Sequence, residues 1–415
     1  MEPHQITPAM DRRNGWIFLG CYVLIFLAAP VLYIGVVQAA LFHKLGASAT
    51  VASLPLTAYQ FGQFAPLVFS WLVPHRFERA TVVAANAITA LLLLLVLLCL
   101  ILPAPAWLRI SLIIAQGLLQ GLSGSTSQVF MIQCLGRGTT LEGRARALQK
   151  TYSLGPVAAV ASSLAAQTIL NPGLPALSFP YDFALIYAIA VPCIAGVALL
   201  ASRFELAPLA DEPRRPFWSF LWTGAKDYAA NRSLALLWIA YLSWYCTIGG
   251  MPNFSLYTKE VLGEDPKNFS GVIMALRFGC KALGGVLLGA IAVRAGLRPA
   301  AMTAAALAGA GALWAWLIPG YPYLFAFGIL GAGELGGIYI PNLALSLSAI
   351  AAGPRNLAIL TLATPASSFS PAAHGQLTDS YGFPASFAFG ALTAGLALLL
   401  MAFLRAPRPE PAPRG

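Results

Sequence analysis

Three charged residues stand in stretches that are otherwise apolar. Arg277 and Lys281 are one helical turn apart and so share a face, and Glu334 lies in the run Gly331-Ala332-Gly333-Glu334-Leu335-Gly336-Gly337. Ionised groups at hydrocarbon depth are costly, so they pair with one another or face a polar cavity. The trio carries one surplus positive charge. An arginine so placed can grip a carboxylate through two parallel hydrogen bonds. The lysine can hold the glutamate or a second anionic group, and the carboxylate can take and release a proton as its cationic neighbours come and go. The chemistry on offer is recognition of an organic anion coupled to a proton. The plainer alternative is a permanent ion-pair network that locks two helices together.

Other chemistry finds little support. The six cysteines (Cys21, Cys99, Cys134, Cys193, Cys246 and Cys280) fall within or at the ends of apolar runs and read as small buried residues. The four histidines are too scattered for a helical metal pair, so neither a metal nor any other cofactor is expected. Gly121-Leu122-Ser123-Gly124-Ser125 is one glycine short of a nucleophile elbow and sits inside an apolar run. No Gly-rich phosphate loop is present, and no catalytic residue is assigned; the chain is not expected to be an enzyme.

The elements that must position the trio are membrane helices. Of 415 residues, 58% are hydrophobic and 10% charged, far from a soluble average. Runs long enough to cross a bilayer recur at 16 to 42, 49 to 72, 81 to 102, 108 to 134, 147 to 169, 182 to 201, 234 to 257, 268 to 293, 300 to 318, 323 to 348, 356 to 376 and 384 to 403. The first run is too long for a signal-peptide core. With both termini in the cytoplasm, nineteen of the 25 Lys and Arg residues lie inside and only Lys44, Arg109, Lys259 and Lys267 outside, which satisfies the positive-inside rule. The net charge of +10 therefore reports topology and contact with an anionic leaflet rather than nucleic-acid binding. The expectation is an all-α polytopic protein with an N-terminal six-helix bundle (1–201), a cytoplasmic linker (202–233) containing an interfacial amphipathic helix, a C-terminal six-helix bundle (234–404) and a disordered tail (405–415).

The two bundles carry matching loops. Ser70-Trp71-Leu72-Val73-Pro74-His75-Arg76-Phe77-Glu78-Arg79 follows the second span, and Gly289-Ala290-Ile291-Ala292-Val293-Arg294-Ala295-Gly296-Leu297-Arg298-Pro299 follows the eighth. The second resembles the loop signature of the major facilitator superfamily, and the first is a degraded copy. Gly155-Pro156 resembles the core of the fifth-helix motif of antiporters in that family. On this resemblance Arg76, Arg79, Gly289, Arg294, Gly296, Arg298, Gly155 and Pro156 belong to gating elements. It also implies twelve helices in two pseudo-symmetric six-helix bundles, with a substrate site near the midplane between parallel halves.

Aligning Arg76 with Arg294 gives an offset of 218, which also carries Trp16 at the start of the first span to residue 234 at the start of the seventh. The same offset pairs Arg277, Lys281 and Glu334 with Tyr59, Gln63 and Gln116. Tyr33 and Tyr245 join these as candidate substrate contacts. Gln38, Gln60, Gln120, Gln128, Tyr241, Trp244 and Asn342 are weaker candidates. Gly117 to Gly121, Gly285 to Gly289 and Gly333 to Gly337 have the spacing of close helix contacts. The expected function is a secondary active transporter of a small organic anion, proton-coupled through Glu334 and working by alternating access. It is expected to act as a monomer, with the lipid bilayer and its small-molecule substrate as partners, in a bacterial cytoplasmic membrane. An efflux antiporter for amphiphiles is the nearer alternative, and a transporter-like membrane sensor or scaffold the remoter one.

Overall fold

In the computed structural model, residues 6–171, 177–207, 216–348 and 352–404 are described. The tail 405–415 and residues 208–215 of the linker lie outside them. No strand occurs among the described residues. Each expected span is present as a helix or an end-to-end series of helices, because runs rich in Ala and Leu satisfy their backbone internally where water is absent. Eight stretches are long and apolar enough to cross a membrane by those criteria alone: Glu78–Ile101, Leu141–Leu170, Tyr181–Ala201, Arg232–Leu262, Pro266–Ala295, Leu297–Leu317, Tyr321–Ser346 and Phe383–Ala402.

The other four spans are broken by turns or laden with polar residues, and fall short of those criteria. The first is built from Pro8–Leu27, Ala29–Leu32 and Val37–Lys44, the second from Ala49–Gly62 and Ala65–Leu72. The fourth, Ala106–Gly138, is continuous but carries Gln116, Gln120, Ser123, Thr126 and Ser127 on its buried side. The eleventh is built from Gly353–Thr361, Ala363–Ala366 and Phe369–Tyr381. A span that faces a polar interior need not be apolar all round.

The helices start and stop on local chemistry. Thr7, Ser48, Thr140 and Asn231 accept backbone N–H bonds as N-caps. Gly296 and Gly382 turn the chain with φ of 96° and 84°, a region closed to side chains with a Cβ, between the eighth and ninth and the eleventh and twelfth spans. Large apolar side chains point outwards: Leu392, Leu396 and Leu399 are 72%, 44% and 55% exposed, while Ala394 and Ala397 of the same helix are buried. Small residues inside and leucines outside is the pattern of a bundle solvated by lipid.

Within the first half the third span packs on the fourth and sixth and the first on the fifth and sixth; within the second, the ninth packs on the tenth and twelfth and the seventh on the twelfth. The halves meet along two seams, the fifth span against the eighth and the second against the eleventh. The linker helix, Phe217–Ala230, touches the eleventh span through Arg355 and Asp227 at 2.9 Å and the second through Trp71 and Phe217, whose centroids are 5.3 Å apart.

Candidate substrate site between the halves

The eighth span (Ser270–Ala295) and the tenth approach most closely at Gly331, where an added Cβ would stand 2.2 Å from the Arg277 carbonyl oxygen. That approach brings the trio together. Arg277 Nε donates to Glu334 Oε1 at 2.6 Å and Lys281 Nζ to Glu334 Oε2 at 3.1 Å. The carboxylate is thus shared between two cations, and its side chain is 7% exposed. Lys281, at 27%, reaches toward solvent. Arg277 is 8% exposed, yet its outer edge is nearly unused: Nη1 makes one weak contact to Met274 Sδ at 3.8 Å, and Nη2 has no acceptor among the described residues and is not sealed from solvent. A buried guanidinium with a free edge keeps hydrogen-bond donors that no described residue uses.

Glu334 owes its position to a break in the tenth span. The run of four glycines ends one helix at Phe325–Gly333 and begins the next at Gly336–Ser346, with Glu334 at the C-cap of the first. The Gly333 carbonyl freed by the break accepts a hydrogen bond from Trp244 Nε1 at 3.1 Å, and Gly336 lies so close to the Trp244 ring that a Cβ would meet it at 2.6 Å. Trp244, expected at most as a cavity wall, is therefore the brace of the break. The stripe expected at Gly285 to Gly289 does not form a helix contact: Gly285 meets nothing within 4 Å, and Gly284 is the residue that meets Ala332. Gly117 and Gly121 do make close contact, against the backbone of Pro55 and Tyr59.

The first half supplies the facing wall. Arg277 Cζ lies 5.6 Å from the centre of the Tyr33 ring, which in turn meets Phe278 edge-on at 4.8 Å. Tyr33 sits just after a break in the first span, and Tyr59 of the second lies within electrostatic reach of Tyr245, Arg277 and Glu334. Tyr33 and Tyr59 are deep in the molecule, and they and Tyr245 keep part of their surface accessible. Gln63 stands at the break of the second span, partly exposed. Gln116 is elsewhere. It is fully buried, accepting from Tyr187 Oη at 2.7 Å and donating to the Val31 carbonyl at 3.4 Å. Together with Gln38, which donates to the same carbonyl at 2.6 Å, it closes the broken backbone of the first span and has no face toward the trio.

The loop residues hold the ends of spans. Arg76 stacks on the Phe77 ring at 4.9 Å, Arg79 donates to the Phe204 carbonyl at 3.1 Å, and Arg298 donates to the Ala402 carbonyl. Arg294 is exposed, and the nearest atom to a Cβ on Gly289 is Tyr339 Oη at 3.7 Å. Gly155 accommodates the Phe26 ring, 2.4 Å from where a Cβ would be, and Pro156 lies inside the uninterrupted helix Leu141–Leu170.

Sequence reasoning missed the contacts that join the halves beyond the trio. Lys267 donates to the fully buried Asp182 at 2.7 Å, and Lys44 pairs with Asp265. Asp379 caps the second span by accepting from the backbone of Ala49 and Thr50 at 3.0 and 2.9 Å. Gln167 Oε1 accepts from Gly271 and Val272, and Ala372 N donates to Thr57 Oγ1 at 3.1 Å. All lie on the side of the trio away from the termini. Among the described residues, no hydrogen bond or ion pair joins the two bundles directly on the near side, where the linker helix is the polar bridge. The direct polar contacts between the two bundles are thus concentrated at the distal end.

No known family's sequence model matches this chain, and no curated protein matches it in sequence. Solved structures match over nearly its whole length. They include the nucleoside transporter NupG (9% identity, TM-score 0.68, 95% of this chain and 97% of that one). FucP, a Major Facilitator Superfamily transporter in the outward conformation, matches at 14% identity and TM-score 0.63, over 95% and 99% of the chains. A D-xylose-proton symporter matches at 12% and 0.61, over 95% and 96%. The chain has the major facilitator fold.

Proposed function

We propose that the chain is a secondary transporter that carries a small organic anion together with a proton, by alternating access to the space around Arg277. The observation that carries this reading is the unequal use of Arg277: its Nε holds Glu334, while its outer edge is open and faces the Tyr33 wall of the other half. An anion arriving from the terminal side can take that edge in bidentate fashion. The anion on that edge takes up part of the guanidinium's positive charge, which leaves Glu334 a buried carboxylate with less cationic support. A proton restores it. One anion and one proton together add no net charge, so the carrier changes orientation with the same charge loaded or empty. The likeness to a D-xylose-proton symporter supports proton coupling in a chain of this fold. With the termini cytoplasmic, the open side faces the cytoplasm, and one copy contains the whole pathway.

Reconstituted vesicles containing a trapped pH dye test this directly. Addition of a carried organic anion should acidify the lumen of wild-type vesicles and have no effect with Arg277→Ala. Glu334→Gln should still exchange labelled anion across the membrane but without the pH change. If neutral or cationic amphiphiles move instead, and equally in all three proteins, the trio is a structural lock and the efflux reading takes its place.

A further inference from the structure

The wall around Arg277 narrows the ligand beyond its charge. Tyr33 from the first span and Tyr59 from the second lie beside the Arg277 and Glu334 pair, with Tyr245 of the seventh near Tyr59, and each is partly exposed. The Tyr33 ring is held rigidly, edge-on to Phe278 with an interplanar angle of 89°. Tyr245 is fixed in the same way by its neighbours in the seventh span, with ring centroids 4.8 Å from Tyr241 and 4.7 Å from Trp244. The hydroxyls of Tyr33 and Tyr59 have no hydrogen-bond partner among the described residues and are not sealed from solvent.

Rigid phenol rings around a half-used guanidinium suit one kind of molecule. A flat ring gains from offset or edge-to-face contact with tyrosine, beyond the area it buries, whereas a puckered or flexible chain gains area alone. A carboxylate attached to that ring falls on the guanidinium edge while the ring lies among the tyrosines. Unpartnered phenol hydroxyls then meet ring oxygens or nitrogens rather than leaving them dry. With Glu334 protonated on binding, one carboxylate leaves the loaded trio at the same charge as the empty one, whereas a second would change the charge carried at this depth.

We infer that the ligand is a single-ring aromatic monocarboxylate, its carboxylate on the Arg277 Nη edge and its ring against Tyr33 and Tyr59. This rests on the organic-anion reading of the same site. The test compares benzoate, cyclohexanecarboxylate and phthalate as ligands of the purified full-length protein, read by thermal shift across a concentration series. Wild type should bind benzoate about tenfold more tightly than cyclohexanecarboxylate, the difference expected for a ring contact, and more tightly than phthalate. Tyr33→Leu or Tyr59→Leu should bring benzoate down to the level of cyclohexanecarboxylate, while Tyr33→Phe keeps the preference. Equal binding of benzoate and cyclohexanecarboxylate to wild type overturns the inference and leaves the anion reading standing. So does a preference that survives both leucine variants. If wild type binds no carboxylate at all, both fail together.

Discussion

Gly331→Ala is the smallest change that should open the trio without touching any of its three side chains. The new Cβ would stand 2.2 Å from the Arg277 carbonyl oxygen and 2.9 Å from Arg277 Cα. Both are backbone atoms of a helix, so no side chain can swing aside, and the eighth and tenth spans must part by roughly 1 Å to regain ordinary contact. The Arg277 to Glu334 bond, 2.6 Å long, would then pass about 3.5 Å and cease to be a hydrogen bond. Overpacking of this kind costs about 1–3 kcal/mol, and Arg277 loses the partner that orients its free edge. The control is Gly285→Ala on the same eighth span, where a Cβ meets nothing within 4 Å. Purified proteins are compared by thermal midpoint, alone and with an anion that stabilises wild type. Gly331→Ala should lower the midpoint and weaken the anion's effect about tenfold, the result of losing roughly 1.4 kcal/mol of binding. Gly285→Ala should match wild type on both. If the two alanine variants cannot be told apart, the close approach at Gly331 does not set the geometry of the site.

Lys267→Met should loosen the distal closure, because it leaves Asp182 fully buried without its cation, a loss of about 3–5 kcal/mol for a broken buried pair. Spin labels at Ala47 and Glu264 would report a longer distance than in the parent protein. Gly375→Leu should separate the same labels and stop transport, since even a Cβ there stands 2.5 Å from Thr50 Cα and the second and eleventh spans cannot seal. An unchanged distance in either variant would mean that these contacts do not hold the closed state. Trp244→Phe should cost about 1 kcal/mol by leaving the Gly333 carbonyl without its donor, measured as a fall in thermal midpoint; no fall would mean that the break in the tenth span is closed by other means.

The sequence was informative about depth and poor on direction. A repeat offset places Arg277 with Tyr59 and Glu334 with Gln116 along the membrane normal, and the trio itself assembles because a buried charge has few choices. The offset carries no information about rotation around each helix axis. Gln116 therefore has the right depth and the wrong face, turned toward Val31 and Tyr187. The glycine stripe at Gly285 fails for the same reason, one residue away from the true contact at Gly284. The distal closure was invisible because Asp182, Lys267, Asp265 and Asp379 stand at span ends, where a charge is ordinarily solvated. Only the packing of one half on the other shows Asp182 to be buried.

The breaks explain why the two halves play different parts on one plan. The first span breaks at Ala28 and again after Leu32, and the seventh breaks between Ile248 and Met251; the offset of 218 carries Gly249 and Gly250 to residues 31 and 32, so the breaks lie near one another without being in register. In the first half the carbonyl freed at Val31 is met by Gln38 and Gln116. In the second, the Cys246 carbonyl accepts from Ser370 at 2.9 Å and lies 2.9 Å from His374 Nε2, both on the eleventh span. The fourth span of the first half thus commits its mid-depth polar residue, Gln116, to repairing the first, whereas the tenth is released from that task and presents Glu334 to Arg277 and Lys281. The tenth carries a break of its own, which Trp244 of the seventh closes. The charged trio resides in the C-terminal half, and the N-terminal half contributes the aromatic residues Tyr33 and Tyr59. Arg277 and Tyr33 belong to different halves, so under the proposed alternating access their 5.6 Å contact is where a bound ligand would sense the motion of both.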